Sequence, residues 1–227
     1  MKNNNFRQER HLRRKEENRR FILDAAEAVF AKKGYNHSSM DHIAAQAGFS
    51  KATLYKYFSG KKAIFLNIIT SSIAEVERQL DTIGSSERPA AERLREYIRF
   101  VMNYYRHKGN LIRIFFLEKH TLMKLFHADL RDFSLVSTKH PPLPRDIANG
   151  MDRISGIRER IIEDGVRSGE FRRVDVPTAA YILGAMIRGF QFQGPLRGPV
   201  FSSEESADVL LDYYLQGIKK HTSGNGE

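Results

Sequence analysis

From Glu16 onward, apolar positions recur with the period of a helix. Phe21, Ile22, Ala25, Ala26, Val29 and Phe30 form one stripe of a 3.6-residue repeat, and Gly34 behind Lys32-Lys33 predicts its stop. Ser38 or Ser39 predicts the cap of a second helix, with Asp41 three residues after Ser38 as in a capping box. That helix is short, with Met40, Ile43, Ala44 and Ala47 facing inward and Gly48 breaking it. Ser50 predicts the cap of a third helix, Lys51 to Phe58, with Leu54 and Phe58 facing inward. Ser59-Gly60 punctuates, and a longer helix starts near Lys61 with Ile64, Phe65, Ile68 and Ile69 on one side.

Helical spacing continues past the break at Gly84-Ser85-Ser86 and Pro89. Leu94, Ile98, Val101, Met102 and Tyr105 make one stripe; Leu111, Ile114, Phe115 and Leu117, then Leu122, Leu125 and Phe126, make a second. His140-Pro141-Pro142-Leu143-Pro144 predicts a loop, because proline cannot continue a helix. An apolar ladder of Ile147, Met151, Ile154, Ile157, Ile161 and Val166 then runs to Gly169. Pro177 suits the first turn of a helix reaching about Gln193, Gly194-Pro195 and Gly198-Pro199 suit a loop, and a last helix runs from about Ser203 to Lys219. No stretch alternates with period two long enough for a strand. The expected fold class is all-α.

Charge divides the chain in two. Its 227 residues carry a net charge of +10, but residues 1–62 hold 14 Lys and Arg against 6 Asp and Glu, leaving the rest nearly neutral. A basic amino-terminal module attracts polyanions by Coulomb attraction and counterion release. The absence of Cys excludes disulfides, thiolate metal sites and cysteine nucleophiles, and fits a reducing, cytoplasmic setting. No signal peptide is readable at the start, and the longest apolar stretches, such as Tyr181 to Ile187, are too short to span a membrane. Residues 1–16 read as a basic flexible arm, whose Arg7, Arg10, Arg13 and Arg14 suit either a DNA minor groove or a solvated tail.

The segment with readable chemistry is SMDHIAAQAGFSKATLYKYF, residues 39–58, two short helices joined at Ala47-Gly48-Phe49-Ser50. Helices this short persist only when packed, so they must lean on Phe21–Phe30 and on the helix from Lys61. That leaves Lys51, Ala52, Tyr55, Lys56 and Tyr57 for an outward face. Lysines pair with phosphates or guanine edges, the Thr53 hydroxyl and methyl suit phosphate or thymine, and tyrosines stack on sugars or donate to phosphate. The amino end of the Lys61 helix offers free N–H groups to a further phosphate.

Residues 17–77 resemble the DNA-binding domain of the TetR family of bacterial transcriptional regulators. The resemblance rests on ILDAAEAVFAKKGY in the first helix, on SMDHIAAQAGFSKATLYKYF, and on GKKAIF after it. It implies a homodimer whose third helices enter successive major grooves of a palindromic operator. It also implies phosphate contacts from Tyr57 and Lys61, and further DNA contacts from Ser39, Lys51, Ala52, Thr53, Tyr55 and Lys56; Ser50, at the head of the third helix, is counted with them. Lys62 stands where the family often has Glu.

By the same resemblance, residues 78–227 form an effector-binding and dimerisation domain. The apolar stripes offer Leu94, Ile98, Met102, Tyr105, Ile114, Phe115, Leu122, Phe126, Phe133 and Met151 as lining for an apolar or aromatic effector. The last two helices offer Ala180, Leu183, Gly184, Ile187 and Phe190, with Val209, Leu210, Tyr213, Tyr214 and Ile218, as a dimer interface. The expected function is a repressor released from its operator by the effector, with no cofactor, no metal and no membrane partner. A competing reading is a metal-dependent helical enzyme or sensor. His120 and His127 lie two turns apart, with Glu118 and Asp129 near and His107 and His140 flanking. No metal-ligand spacing such as Glu-x-x-His joins them, and no nucleophile elbow, phosphate loop or dinucleotide fingerprint occurs, so no enzyme is expected.

Overall fold

A computed structural model of the protein describes residues 2–117, 144–197 and 203–218. They form helices α1 (Lys2–Lys33), α2 (Met40–Ala47), α3 (Lys51–Tyr57), α4 (Lys61–Gly84), α5 (Ala90–Leu117), α6 (Arg145–Arg167), α7 (Val176–Arg197) and α8 (Ser203–Ile218). Among the described residues there is no strand. The chain divides into two compact units: the described residues up to Ser72 with those from Asn110 to Pro144, and Ile73–Gly109 with the described residues from Arg145 onward.

In the first unit, Ile22, Ala26, Val29 and Phe30 of α1 are buried with Met40, Ile43, Leu54, Phe58, Ile64, Phe65, Ile68 and Ile69. Phe30 meets Phe65 edge-to-face, their centroids 5.6 Å apart, and Tyr35 lies 4.9 Å from Phe65. Such tilted ring pairs stabilise beyond the area they bury. Phe21, expected on the inner stripe, is exposed.

Helix α1 also departs from the expected flexible arm, since it begins at Lys2. Phe6 and Leu12 are exposed, so this first half buries no face. Its helicity comes from residue type and local pairing: Arg, Gln, Glu and Lys are good helix formers, and Arg10 donates to the Phe6 carbonyl one turn back.

The second unit has a core of Leu80, Leu94, Tyr97, Ile98, Ile157, Ile161, Leu183, Leu210 and Tyr214, drawn from α4 to α8. Polar contacts fix its helix ends. The Glu170 carboxylate accepts from the backbone N–H groups of Ala90 at 2.7 Å and Ala91 at 2.9 Å, capping α5 from a distant segment. Asp175 caps α7, and the Thr178 side chain together with the Thr178 N–H at 3.0 Å donates to its ionised form, which holds its carboxyl below the usual range. Arg93 donates to the Gly84 carbonyl and to Asp164, closing the α4–α5 corner against α6. Helix α7 continues to Arg197, through the Gly194-Pro195 pair expected to start a loop.

Candidate nucleic-acid interface

Helices α2 and α3 are each started by a serine hydroxyl. Ser39 Oγ accepts from His42 N–H at 3.2 Å, and Ser50 Oγ accepts from Thr53 N–H at 3.1 Å. Ser39 is therefore the cap; Ser38 is buried and donates to the Gly34 carbonyl at 2.5 Å. Between the helices, Gly48 sits at φ 68°, a left-handed conformation that glycine enters without a Cβ penalty, and its N–H closes on Ala44 and Ala45.

Seven residues of α3 then have a fixed division of labour. Leu54 is fully buried, while Lys51, Ala52, Tyr55 and Lys56 are exposed at i, i+1, i+4 and i+5, a single outward face. Thr53 is half-buried and its hydroxyl lies 2.8 Å from that of Ser50, so both oxygens begin engaged in the cap. The Tyr57 hydroxyl accepts from Asn18 Nδ2 at 3.0 Å, which ties the end of α3 to α1. Next to it the Arg19 guanidinium covers the Phe58 ring, 4.7 Å from its centroid, and donates to Asn67 of α4. Asn18 and Arg19 are positioning residues that sequence reasoning missed; they precede the apolar stripe of α1, and periodicity carries no signal for them.

Two lysines differ from simple phosphate contacts. Lys51 pairs with Asp41 at 2.8 Å across the turn, and this hydrogen bond raises its pKa. Lys61 points inward, donating to the carbonyls of Tyr35 and Ser38, each at 2.7 Å. Partial burial lowers its pKa by disfavouring the charged form. The ammonium expected on a phosphate is thus engaged in holding the α1–α2 connection, while Lys62 beside it is exposed.

A short helix with one buried anchor and an outward row of two cations, an alanine and a tyrosine is shaped to enter a major groove, with a base edge and a phosphate in reach of one face. Residues 22–68 match the family model described as bacterial regulatory proteins, tetR family. That segment is a helix-turn-helix of the TetR type. Over 203 residues it is 24% identical to the uncharacterised HTH-type transcriptional regulator YhgD of Bacillus subtilis, covering 88% of this chain and 96% of that one. The fold is that of the regulator FadR of Bacillus subtilis, solved with stearoyl-CoA (TM-score 0.67, 21% identity, 87% of this chain and 98% of that chain). It is equally that of SmeT, the repressor of a Stenotrophomonas maltophilia multidrug efflux pump (TM-score 0.66, 20% identity, 90% and 91%). With this helix-turn-helix in its first unit, the chain is a DNA-binding transcriptional regulator.

The effector residues expected in the second half are only partly described. Leu94 and Ile98 are fully buried and Met102 nearly so, all in the core, and Met151 is half-buried. The side chains of Tyr105, Ile114 and Phe115, and residues Leu122, Phe126 and Phe133, lie outside the described residues, as do His120, His127, Glu118, Asp129 and His140 and the side chain of His107. Among the described residues no cluster of His, Asp and Glu could hold a metal, and no helix is long and apolar enough to cross a membrane. A surface groove of about 480 Å³ between α5 and α8 is lined by charged residues including Arg95, Arg99 and Asp208, and by none of the expected effector contacts.

Most of the expected dimer contacts are already covered within the single chain. Ala180, Leu183, Ile187, Leu210, Tyr214 and Ile218 are buried within the chain itself, and Gly184 faces the Arg158 guanidinium. A side chain already dry in one chain has no area left to bury against a second. Phe190 and Val209 are half-buried, and Tyr213 is 70% exposed. Tyr181 at 66% and Ile182 at 47%, neither of them expected, share the outer side of α7.

Proposed function

We propose that the protein is a homodimeric repressor whose α3 helices read successive major grooves of a palindromic operator, and which an apolar effector bound by the second unit releases. The observation that carries the reading is the outward face of α3, where Lys51, Ala52, Tyr55 and Lys56 stand clear of a fully buried Leu54. Two copies of one reading head impose two-fold symmetry on the site, with half-sites about 34 Å apart. The exposed apolar side chains Tyr181 and Ile182 of α7 and Tyr213 of α8 supply the pairing surface. The apolar stripes of α5 and α6 are the lining for the effector. FadR was solved with stearoyl-CoA, and SmeT is named a repressor. An effector that prefers a conformer with the wrong spacing of reading heads weakens DNA binding by the same coupling factor. Such a protein works in the cytoplasm, beside the chromosome.

Footprinting on the DNA upstream of its own gene, against random competitor at two salt concentrations, tests this. Protection of a near-palindrome over about two helical turns, with steep salt dependence, is the expected result. Equal binding to both DNAs would reduce the first unit to a polyanion patch. A reporter fused downstream should rise when the gene is deleted; a fall would make the protein an activator.

A further inference from the structure

Arg158 lies on the inner side of α6, in line with Ile154, Ile161 and Ile162, and only 9% of it is exposed. A guanidinium stays protonated at any physiological pH, so its charge is buried with it. Its acceptors are two neutral hydroxyls: Ser155 Oγ at 2.9 Å and Tyr97 Oη at 3.4 Å. Its Nε is buried without an acceptor. Among the described residues no carboxylate pairs with it, whereas the other buried arginine of this unit, Arg93, has Asp164 at 3.0 Å. The backbone of α7 is cut back to receive the group: a Cβ at Gly184 would stand 3.0 Å from Nη2 and 3.1 Å from Cζ. One turn further along α7, Arg188 is exposed and adds a second positive field at Tyr97. Burial pushes the Tyr97 hydroxyl pKa up while both guanidinium charges pull it down. An unpaired buried cation is costly unless something neutralises it, and a hydrophobic side chain of similar size is often the more stable choice.

We propose that Arg158, with Tyr97, Ser155 and Arg188, receives the oxyanion head of an amphipathic effector. The contacts Arg93 to Asp164 and Tyr97 to Arg158 set α5 and α6 antiparallel, which puts Val101, Met102 and Ile154 next along the pair. An apolar tail extends along that side. The shared chemistry is a carboxylate or a phosphate monoester on a hydrocarbon chain. This rests on the effector reading above and adds the charge to it.

The test uses the full chain and three probes with one tail: decanoate, decyl phosphate and 1-decanol. By calorimetry, at least one anion is expected to bind ten-fold or more tightly than the alcohol, and which anion does so separates a carboxylate from a phosphate source. Arg158→Met is expected to bind all three within three-fold of each other and to melt no lower than wild type without ligand. Arg158→Lys, which keeps a charge, is expected to keep part of the preference. Wild-type protein that binds the alcohol as well as the anions, or none of the three, overturns the proposal without any variant. So does an Arg158→Met that keeps the preference or melts well below wild type, since that marks a purely structural arginine. If 1-decanol alone releases operator DNA, the effector reading survives and the anion site does not; if an anion binds at Arg158 without releasing DNA, the reverse holds.

Discussion

Lys61 and Tyr35 are joined twice: the Lys61 ammonium donates to the Tyr35 carbonyl at 2.7 Å and lies 4.3 Å from the centre of the same residue's ring. A third contact, to the Ser38 carbonyl, uses another of its protons. One side chain thereby satisfies two carbonyls of the α1–α2 connection, and Lys61→Met leaves both without it. The expected loss is about 1–3 kcal/mol of stability, read as a lower denaturation midpoint. Operator affinity should fall because the helix-turn-helix is less well held, with the slope of log affinity against log salt unchanged. Lys56→Ala, by contrast, should leave stability alone and lower that slope by about 0.9. A drop in slope for Lys61→Met would return Lys61 to the phosphate backbone.

The exposed pair Lys51–Asp41 contributes little to stability, since water and salt screen a surface ion pair and holding two long side chains together costs entropy. It matters more for DNA, because Asp41 competes with phosphate for the same ammonium and repels the backbone itself. Asp41→Asn should therefore tighten operator binding several-fold and steepen its salt dependence, with the melting temperature nearly unchanged. Weaker binding in a salt titration would mean that Asp41 holds Lys51 in its reading position.

Much of this helix-turn-helix is legible in the sequence. Ser50, Gly48 and Leu54 carry local rules, a cap, a left-handed turn and a buried anchor, that act within a few residues and leave a pattern in the chain. Lys61 was legible as a cation but not in its direction, which depends on carbonyls more than twenty residues away. The apolar stripes of α7 and α8 mark a side that is buried, not whether the cover is the chain itself or a second copy, and for Leu183, Leu210 and Tyr214 the chain itself covers them. Arg158 left a readable sign, a charge four residues after Ile154 and three before Ile161, at a position where the stripe calls for an apolar residue. Polar residues on an apolar stripe mark the places where packing alone does not decide the sequence. The opening turns of α1 run the other way, because helical propensity without an apolar face gives no period to detect.

Tyr214 ties stability to alkaline pH. It is 5% exposed, and its hydroxyl donates to the Ala179 carbonyl at 3.0 Å. Burial pushes its pKa from 10.0 to about 12, outweighing the nearby Arg158 charge, which pulls it down. A group raised in the folded state stabilises fully below its unfolded value and loses that contribution as pH climbs through the folded one. The window is therefore from 10.0 to about 12. Urea midpoints measured across it should decline, and Tyr214→Phe, which has no proton to lose, should decline less steeply. At neutral pH the Phe variant forgoes only one hydrogen bond, about 1 kcal/mol. Parallel declines in the two proteins would place the alkaline transition elsewhere.

Ile182 and Tyr213 decide whether the proposed dimer uses the outer sides of α7 and α8. Both are exposed in the single chain, at 47% and 70%, so removing them takes nothing from its core. An apolar pairing surface that tolerates solvent in the monomer is sensitive to charge in the dimer, where each introduced carboxylate is buried and meets its symmetry mate. Ile182→Glu with Tyr213→Glu should yield a folded monomer by sedimentation, with unchanged helix content and melting behaviour. Operator binding should collapse in the same protein even though α3 is intact, because one reading head holds only a half-site and loses the effective concentration that the second supplies. A half-site duplex should bind the variant and the wild type equally. Leu183→Ala is the control: Leu183 is fully buried in the chain, so its truncation should lower stability by about 2–5 kcal/mol. A double-Glu variant that remains dimeric would move the interface off this face and leave Tyr181, Ile182 and Tyr213 without a role in assembly.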